Sequence, residues 1–219
     1  MFAPGMSVAQ AIIRAVRASG DDLRDGDICV IAQKIVSKAE GRAVSLATIA
    51  PGAAARELAG RTGREPQMAQ AILDESSEIL RAHPAAIIAR HRTGHVLANA
   101  GIDASNVEGG DSGTVLLWPV DPDASARAIR AELHQECPAR IGVVIADSMG
   151  RAWRIGTVGT AIGCAGLAVL EDRRGRAVDL FGRTLQATVI AIAASSAAMA
   201  TLAMGEGDEG TPVALVRGA

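Results

Sequence analysis

Two short, near-continuous apolar runs, Ile28-Cys29-Val30-Ile31-Ala32 and Ile141-Gly142-Val143-Val144-Ile145-Ala146, constrain this chain more than any other feature. Runs of that length bounded by polar residues read as buried strands, so whatever follows them is presented at the edge of a sheet. The first run leads into Gln33-Lys34-Ile35-Val36-Ser37-Lys38-Ala39-Glu40-Gly41-Arg42. Cations and hydroxyls at such an exit offer phosphate oxygens both charge and hydrogen-bond donors. A solvated turn with ordinary surface lysines explains the same stretch, and taken alone it is the better reading, because charge clusters are usually solvated faces. The second run ends at Asp147, where a carboxylate at a strand end can present oxygen to a hard cation or cap the following turn.

Composition narrows the partners. The 219 residues suffice for a real hydrophobic core in one large domain or two small ones. Aromatic residues make up only 2% of the chain, with no Tyr, so the core must be built from Ala, Val, Ile and Leu. That scarcity counts against single-stranded nucleic acid, whose bases stack on aromatic platforms. A formal net charge of −2, with no basic run longer than Arg173-Arg174, counts against duplex binding. Cys29, Cys137 and Cys164 have neither metal-ligand nor CxxC spacing, so no disulfide framework or zinc site is indicated, and a reducing cytoplasm is expected. The amino terminus lacks the charged and then apolar pattern of a secretory signal. Residues 184–205 carry no charge and are long enough to span a bilayer, yet their Ala, Ser and Thr content predicts a buried or interface helix instead.

Along the chain, Ser7 followed by Val8, Ala11, Ile12, Ala15 and Val16 predicts a capped helix over 8–18. Helices are further expected at about 53–61, from Pro66 to Arg81 and over 122–135. The second of these carries Glu75 and Glu78. Ala85–Ala89 and His95–Ala98 flank Arg92-Thr93-Gly94 as a β-hairpin or two adjacent strands. Short strands are expected at Thr114–Leu117 and Pro212–Val216, and residues 160–170 read as strand-like, with close backbone approaches at Gly163 and Gly166. Helices and strands interleave without regular βαβ spacing or a GxGxxG, so a mixed α+β fold is expected rather than a Rossmann domain.

Asp103, in the loop Gly101-Ile102-Asp103-Ala104-Ser105-Asn106, is a turn residue when taken alone. Together with Asp147, the lysines at the strand exit and Arg151 and Arg154, it completes a more specific set. Carboxylates for Mg²⁺ or Mn²⁺, with Lys and Arg for phosphate oxygens, are the components of nucleotide-driven phosphoryl transfer. No Walker A sequence is present, so a different nucleotide fold is required. His83, His91, His95 and His134 lack the spacing of a zinc hydrolase and read as structural. Glu75 and Glu78 could ligate a metal, but acidic residues on an exposed helix face are the commoner case.

Taken together, QKIVSKAEGR (33–42), ESSEILR (75–81), GHVLANAGIDASNV (94–107), DPDASARAIRAEL (121–133), DSMGRAWR (147–154) and GTPVALVRG (210–218) resemble the coenzyme F420-0:L-glutamate ligase, or gamma-glutamyl ligase, family. The resemblance implies an intertwined homodimer of α+β fold that adds L-glutamate to coenzyme F420-0 through an acyl phosphate. GTP would be the co-substrate and Mg²⁺ or Mn²⁺ the metal, with K⁺ as a further candidate. It implies a single ligase-type domain over 1–219, or two intimately packed lobes, with no additional carboxy-terminal flavin domain. Nucleic acid and membrane are not expected as partners. Carried over residue by residue, Gln33, Lys34, Lys38 and Asn106 match nucleotide-contacting positions. Met204, Gly205, Glu206, Gly207, Asp208, Glu209, Gly210 and Thr211 match a second nucleotide-binding segment. Asp103, Asp147 and Ser148 match metal-binding positions, Ser148 standing where the family usually has Thr. Lys34, Lys38 and Arg154 are the candidates for charge stabilisation during phosphoryl transfer.

The chain departs from the family pattern at Ile155, Gly156, Thr157, Val158 and Gly159, where Asn-Gly-Gln-Thr-Asp is usual, and at Ala194 and Ser195, where an Asp-Glu pair is usual. The family's strand and nucleotide-contacting turn before the first helix are also expected to be missing. The alternatives are therefore a family relative with an altered acceptor and a non-catalytic nucleotide-binding dimer.

Overall fold

The apolar runs at 28–32 and 141–146 do form strands, and they are parallel neighbours in one sheet, Ile28 opposite Gly142 and Ala32 opposite Ala146. The computed structural model describes residues 2–150 and 155–218. In chain order its elements are α1 (Val8–Ala18), β1 (Ile28–Ala32), α2 (Gln33–Ala39), β2 (Ala43–Ser45), α3 (Ala53–Thr62), α4 (Pro66–Asp74), β3 (Ser76–His83), β4 (Ala86–His91), β5 (Val96–Ala98), β6 (Thr114–Leu116), α5 (Pro122–Glu136), β7 (Gly142–Gly150), β8 (Thr157–Ala165), β9 (Glu171–Asp172), β10 (Val189–Ile190), α6 (Ile192–Met204) and β11 (Val213–Val216). The fold is mixed α+β, and the chain forms two compact units. One comprises Met1–Ser7, Gln33–Asp121 and Met149–Thr157; the other comprises Val8–Ala32, Pro122–Ser148 and Val158–Ala219.

The second unit is built on the sheet β11-β1-β7-β8, in which β11 runs antiparallel to β1. Strand alternation sends Ile28, Val30, Val144 and Ala146 to one face, where they pack with Ala193, Ala197, Ala200 and Met204 of α6. Cys29, Ile31, Val143 and Ile145, which point the other way, are fully buried as well. Burial on both faces is why these strands read as continuous apolar runs instead of alternating ones. The helix approaches β8 closely at Gly159, where a Cβ would collide with the Thr201 hydroxyl. Burial pushes the Cys29 thiol up to about 12, with the Asp27 carboxylate adding to it, and all three cysteines are free. Among the described residues, no helix is long and apolar enough to cross a membrane.

In the first unit, β3, β4 and β5 form an antiparallel sheet and β2 pairs with β6. Ala55, Leu58 and Ala59 of α3, Ala69, Ala71 and Ile72 of α4, and Ile87 and Ala89 of β4 share its core with Ala100, Ile102, Val115 and Leu117.

The structure corrects four expectations. The helix predicted over Pro66–Arg81 stops at Asp74, and the chain from Ser76 becomes a strand paired with β4 from Ser76↔His91 to His83↔Ala86. Two register shifts in that pairing break strict alternation, which let Ile72, Ile79 and Leu80 imitate helical spacing. The segment after β1 is the helix α2 rather than a turn, with Gln33, Ile35, Val36 and Ser37 buried. Asp147 does not end its strand, because β7 continues to Gly150. Of the uncharged stretch 184–205, only Ile192–Met204 is helical, and Val189–Ile190 pairs with β9.

Candidate active site

Helix α2 follows β1 directly in the chain, beginning at Gln33. Gln33 is 3% exposed, and its amide donates to Ser37 Oγ at 2.6 Å and to Leu117 O at 3.4 Å. This inward anchor holds the start of the helix and leaves Lys34 and Lys38, one turn apart, on the side of the loop 103–106.

That loop is prepared by an unusual backbone. Asn99, Ala100 and Gly101 all have positive φ, and the Ala100 side chain is fully buried. Gly101 is required there, because a Cβ would lie 2.5 Å from atoms of the Trp118 ring. The chain then bonds back to β6 through Asp103 N to Leu116 O at 3.2 Å and Leu116 N to Asp103 O at 2.8 Å. Asp103 is thereby fixed at a sheet edge, and Ser105 N donates to Asp103 Oδ1 at 2.8 Å.

Lys34 Nζ stands 2.7 Å from Asp103 Oδ2 and also donates to Ser105 Oγ and, at 3.1 Å, to Ser105 O. Lys38 Nζ donates to Asn106 O, and Asn106 adopts φ 55°. Burial alone would raise the Asp103 carboxyl, but Lys34 and the Ser105 hydrogen bonds outweigh it and hold it below the usual range. The Lys38 ammonium is held below its usual range by burial first and then by neighbouring Lys34. Two cations facing a carboxylate and backbone oxygens give a locus that can accept phosphate oxygens on one side and a hard cation on the other. An ammonium already sits among the oxygens of Asp103 and Ser105. An all-oxygen donor set around a positive charge fits Mg²⁺ or Mn²⁺ chemically.

In the second unit, Ala146 faces α6, and alternation puts Ser148 on that same face and Asp147 on the opposite one. Ser148 Oγ donates to the Glu206 carboxylate, whose oxygens are 2.5 and 2.6 Å away, and Ser148 N donates to Asp147 Oδ1 at 2.9 Å. Residues 204–211 form a compact loop after α6. Thr211 Oγ1 donates to Met204 O at 2.6 Å, and Gly207 N donates to Glu209 Oε2 at 2.7 Å. Gly205 (φ 79°) lets the Glu209 carboxylate fold against it, and backbone N–H groups hold that carboxylate below its ordinary range. Asp208 and Gly210 lie in the same loop. Among the described residues, no three His, Cys, Asp or Glu side chains gather as a metal cluster. Arg154 lies outside the described residues. Ile155 is fully exposed, Ala194 is half-buried in the first turn of α6, and Ser195 beside it is exposed.

The sequence pattern did not reveal the buried ionic group behind α2. Glu75, only 5% exposed, accepts from Arg42 Nη2 at 2.8 Å, with Arg92 Nη2 at 3.0 Å and His91 Nε2 at 3.4 Å. The available signal was the Glu75 carboxylate in one motif block combined with the cations Arg42, in another block, and Arg92, between two predicted strands, since carboxylates are rarely buried unpaired.

Comparison with known proteins covers nearly the whole chain. The coenzyme F420:L-glutamate ligase of Methanothermobacter thermautotrophicus is 47% identical over 214 residues, spanning 98% of this chain and 83% of that protein. The enzyme of the same name from Methanopyrus kandleri is 44% identical over 215 residues, with 98% and 82% covered. That of Archaeoglobus fulgidus is 42% identical over 214 residues, again with 98% and 82% covered. The F420-0:gamma-glutamyl ligase family profile matches residues 1–218, and the chain belongs to that family.

Proposed function

We propose that this protein is a GTP-dependent ligase that adds L-glutamate to coenzyme F420-0. The supporting observation is the pairing of Lys34 and Lys38 on α2 with the loop Asp103–Asn106 inside a single unit, in a chain of this family. In the proposed reaction a carboxylate oxygen of coenzyme F420-0 attacks the γ-phosphorus of GTP, giving an acyl phosphate and GDP. The glutamate amine then attacks the acyl carbon, losing a proton, and phosphate leaves. Lys34 and Lys38 stabilise the charge on the transferred phosphoryl group, as does Arg154 by family resemblance. Gln33 keeps the lysine-bearing helix in place, Asn106 fixes the loop under Lys38, and the loop 204–211 is the second nucleotide-contacting segment. Asp103, and separately Asp147 with Ser148, are the proposed ligands of Mg²⁺ or Mn²⁺, which would offset the charge of the triphosphate.

The family relationship carries glutamate and coenzyme F420-0 as substrates, and no part of this reading needs nucleic acid or a membrane. GDP release should require both glutamate and coenzyme F420-0, with Mn²⁺ or Mg²⁺ present. Absence of GDP release with both substrates would overturn the reading. A different acceptor is the second reading, favoured by the apolar, fully exposed Ile155 at a position where the family usually has an amide. We also propose that the protein acts as a homodimer, because Leu180 (100% exposed) and Phe181 (83% exposed) project from the chain between β9 and β10.

A further inference from the structure

We propose that Lys34 is the resident counter-ion of Asp103, so that a divalent metal ion and a polyphosphate enter this site cooperatively, each releasing the group the other needs. The proposal rests on reading this locus as a nucleotide and metal site.

An ammonium has three donors, and Lys34 spends them on Asp103 Oδ2, Ser105 Oγ and Ser105 O. Both oxygens of Asp103 are likewise engaged, Oδ1 by Ser105 N at 2.8 Å and Oδ2 by Lys34 at 2.7 Å and Ser105 Oγ at 2.7 Å. A phosphate approaching Lys34 must therefore take it from Asp103, and a metal ion approaching Asp103 must displace Lys34. The side chains are 25% and 43% exposed, so water compensates only in part for whichever partner is stranded, less for Lys34 than for Asp103. Lys38 is a poor substitute counter-ion, because its ammonium is directed at Asn106 O instead of Asp103 and burial already disfavours its charge.

When both ligands arrive the stranded charge disappears: the metal ion takes over Asp103 and the phosphate takes over Lys34. Four charges exchange partners, and none is left unpaired. Such coupling is reciprocal, so each ligand must raise the affinity of the other by the same factor. The contact between Lys34 and Asp103 is thus what makes the two ligands cooperative.

The test uses two variants of the full chain and reads binding instead of turnover. Metal-free affinity for a fluorescent GTP analogue is measured in EDTA, and nucleotide-free Mn²⁺ affinity is measured from the electron paramagnetic resonance signal of unbound Mn²⁺. Asp103→Asn releases Lys34 and should bind the metal-free analogue on the order of tenfold more tightly than wild type. Lys34→Gln releases Asp103 and should bind Mn²⁺ alone on the order of tenfold more tightly. Misfolding cannot produce either gain. If wild type binds the analogue in Mn²⁺ but either gain is absent, the coupling is overturned and the nucleotide site stands. If wild type binds no analogue with or without Mn²⁺, both readings fall.

Discussion

Arg42 Nη2 stands 2.8 Å from Glu75 Oε1 while its Nε donates to Trp118 O at 2.7 Å, so one guanidinium ties the chain after α2 to both the end of α4 and the end of β6. Arg42 N also closes the helix end by donating to Ser37 O at 2.9 Å, and Leu117 N donates to Arg42 O at 3.1 Å. With Gln33 anchored to Leu117 O at the other end, the helix bearing Lys34 and Lys38 is clamped at both termini.

Removing the charge of Glu75 should therefore loosen the proposed nucleotide locus as well as the fold. Glu75→Gln leaves Arg42 and Arg92 without their shared anion, and breaking a buried ion pair of this kind costs about 3 kcal/mol. Urea unfolding should show that loss. Nucleotide affinity should also fall at urea-free conditions where the variant is still folded by circular dichroism. Unaltered affinity in the folded variant would mean that the clamp does not position α2.

The strands that flank the site in sequence were legible, whereas helix α2, which the sequence suggested was a turn, and the contacts that orient its side chains were not. Continuous apolar runs located β1 and the apolar part of β7, because burial on both faces leaves little other composition. Helix α1 was legible from the spacing of Val8, Ile12 and Ala15. Strand β3 was not, because bulged non-local pairing with β4 overrode the local period that Ile72 and Ile79 suggested. Lys34, Lys38 and Asp103 were marked by their motif blocks. The occupation of Asp103 by Lys34 depends on a loop held by long-range bonds to Leu116, which no spacing rule records.

Gly101→Ala tests how far the backbone before Asp103 is locked. At φ 75° any side chain is disfavoured, and the new Cβ would fall 2.5 Å from Trp118 Cε2 and Nε1, on a ring with no exposed surface. The ring is further confined by His91, with centroids 4.8 Å apart, and by His95 at 5.5 Å. Strain and overpacking together should cost about 2–4 kcal/mol in chemical denaturation. A loss within experimental error would show that Trp118 can move aside.

Acid stability should depend on Asp27. Its carboxylate, 1% exposed, receives Arg217 Nε and Nη2 at 2.8 Å each and Arg24 N at 2.9 Å, beside the first β1–β11 residue pair, Ile28 and Val216. The Arg217 hydrogen bonds, partly opposed by burial, hold its carboxyl below the ordinary carboxylate range. A folded-state value below the unfolded one gives stability that is fully present above about pH 4 and is lost as pH falls through the folded value. Asp27→Asn should cost about 2 kcal/mol near neutrality, less than a fully buried pair because Arg217 is partly exposed. The gap between variant and wild type should close below about pH 4 in denaturant titrations. A gap that persists unchanged into acid would assign the loss to hydrogen bonding alone.

The apolar tip at Leu180 and Phe181 is where the proposed homodimer can be broken. β9 and β10 pair at Glu171↔Ile190 and Asp172↔Val189, and Val178 bridges Thr184 farther out, so residues 171–190 form a two-stranded arm. Asp179 locks its tip, accepting from Phe181 N at 2.8 Å and from Arg183 Nε at 2.7 Å. Leu180 and Phe181 are consequently held outward by a defined turn, and exposed apolar side chains on a built support mark an interaction surface. Leu180→Glu with Phe181→Glu touches neither the core nor the proposed nucleotide locus, so the variant should fold normally. In sedimentation equilibrium, wild type should weigh as a dimer and the variant as a monomer. A monomeric wild type, or a variant that remains dimeric, would remove this arm from the interface.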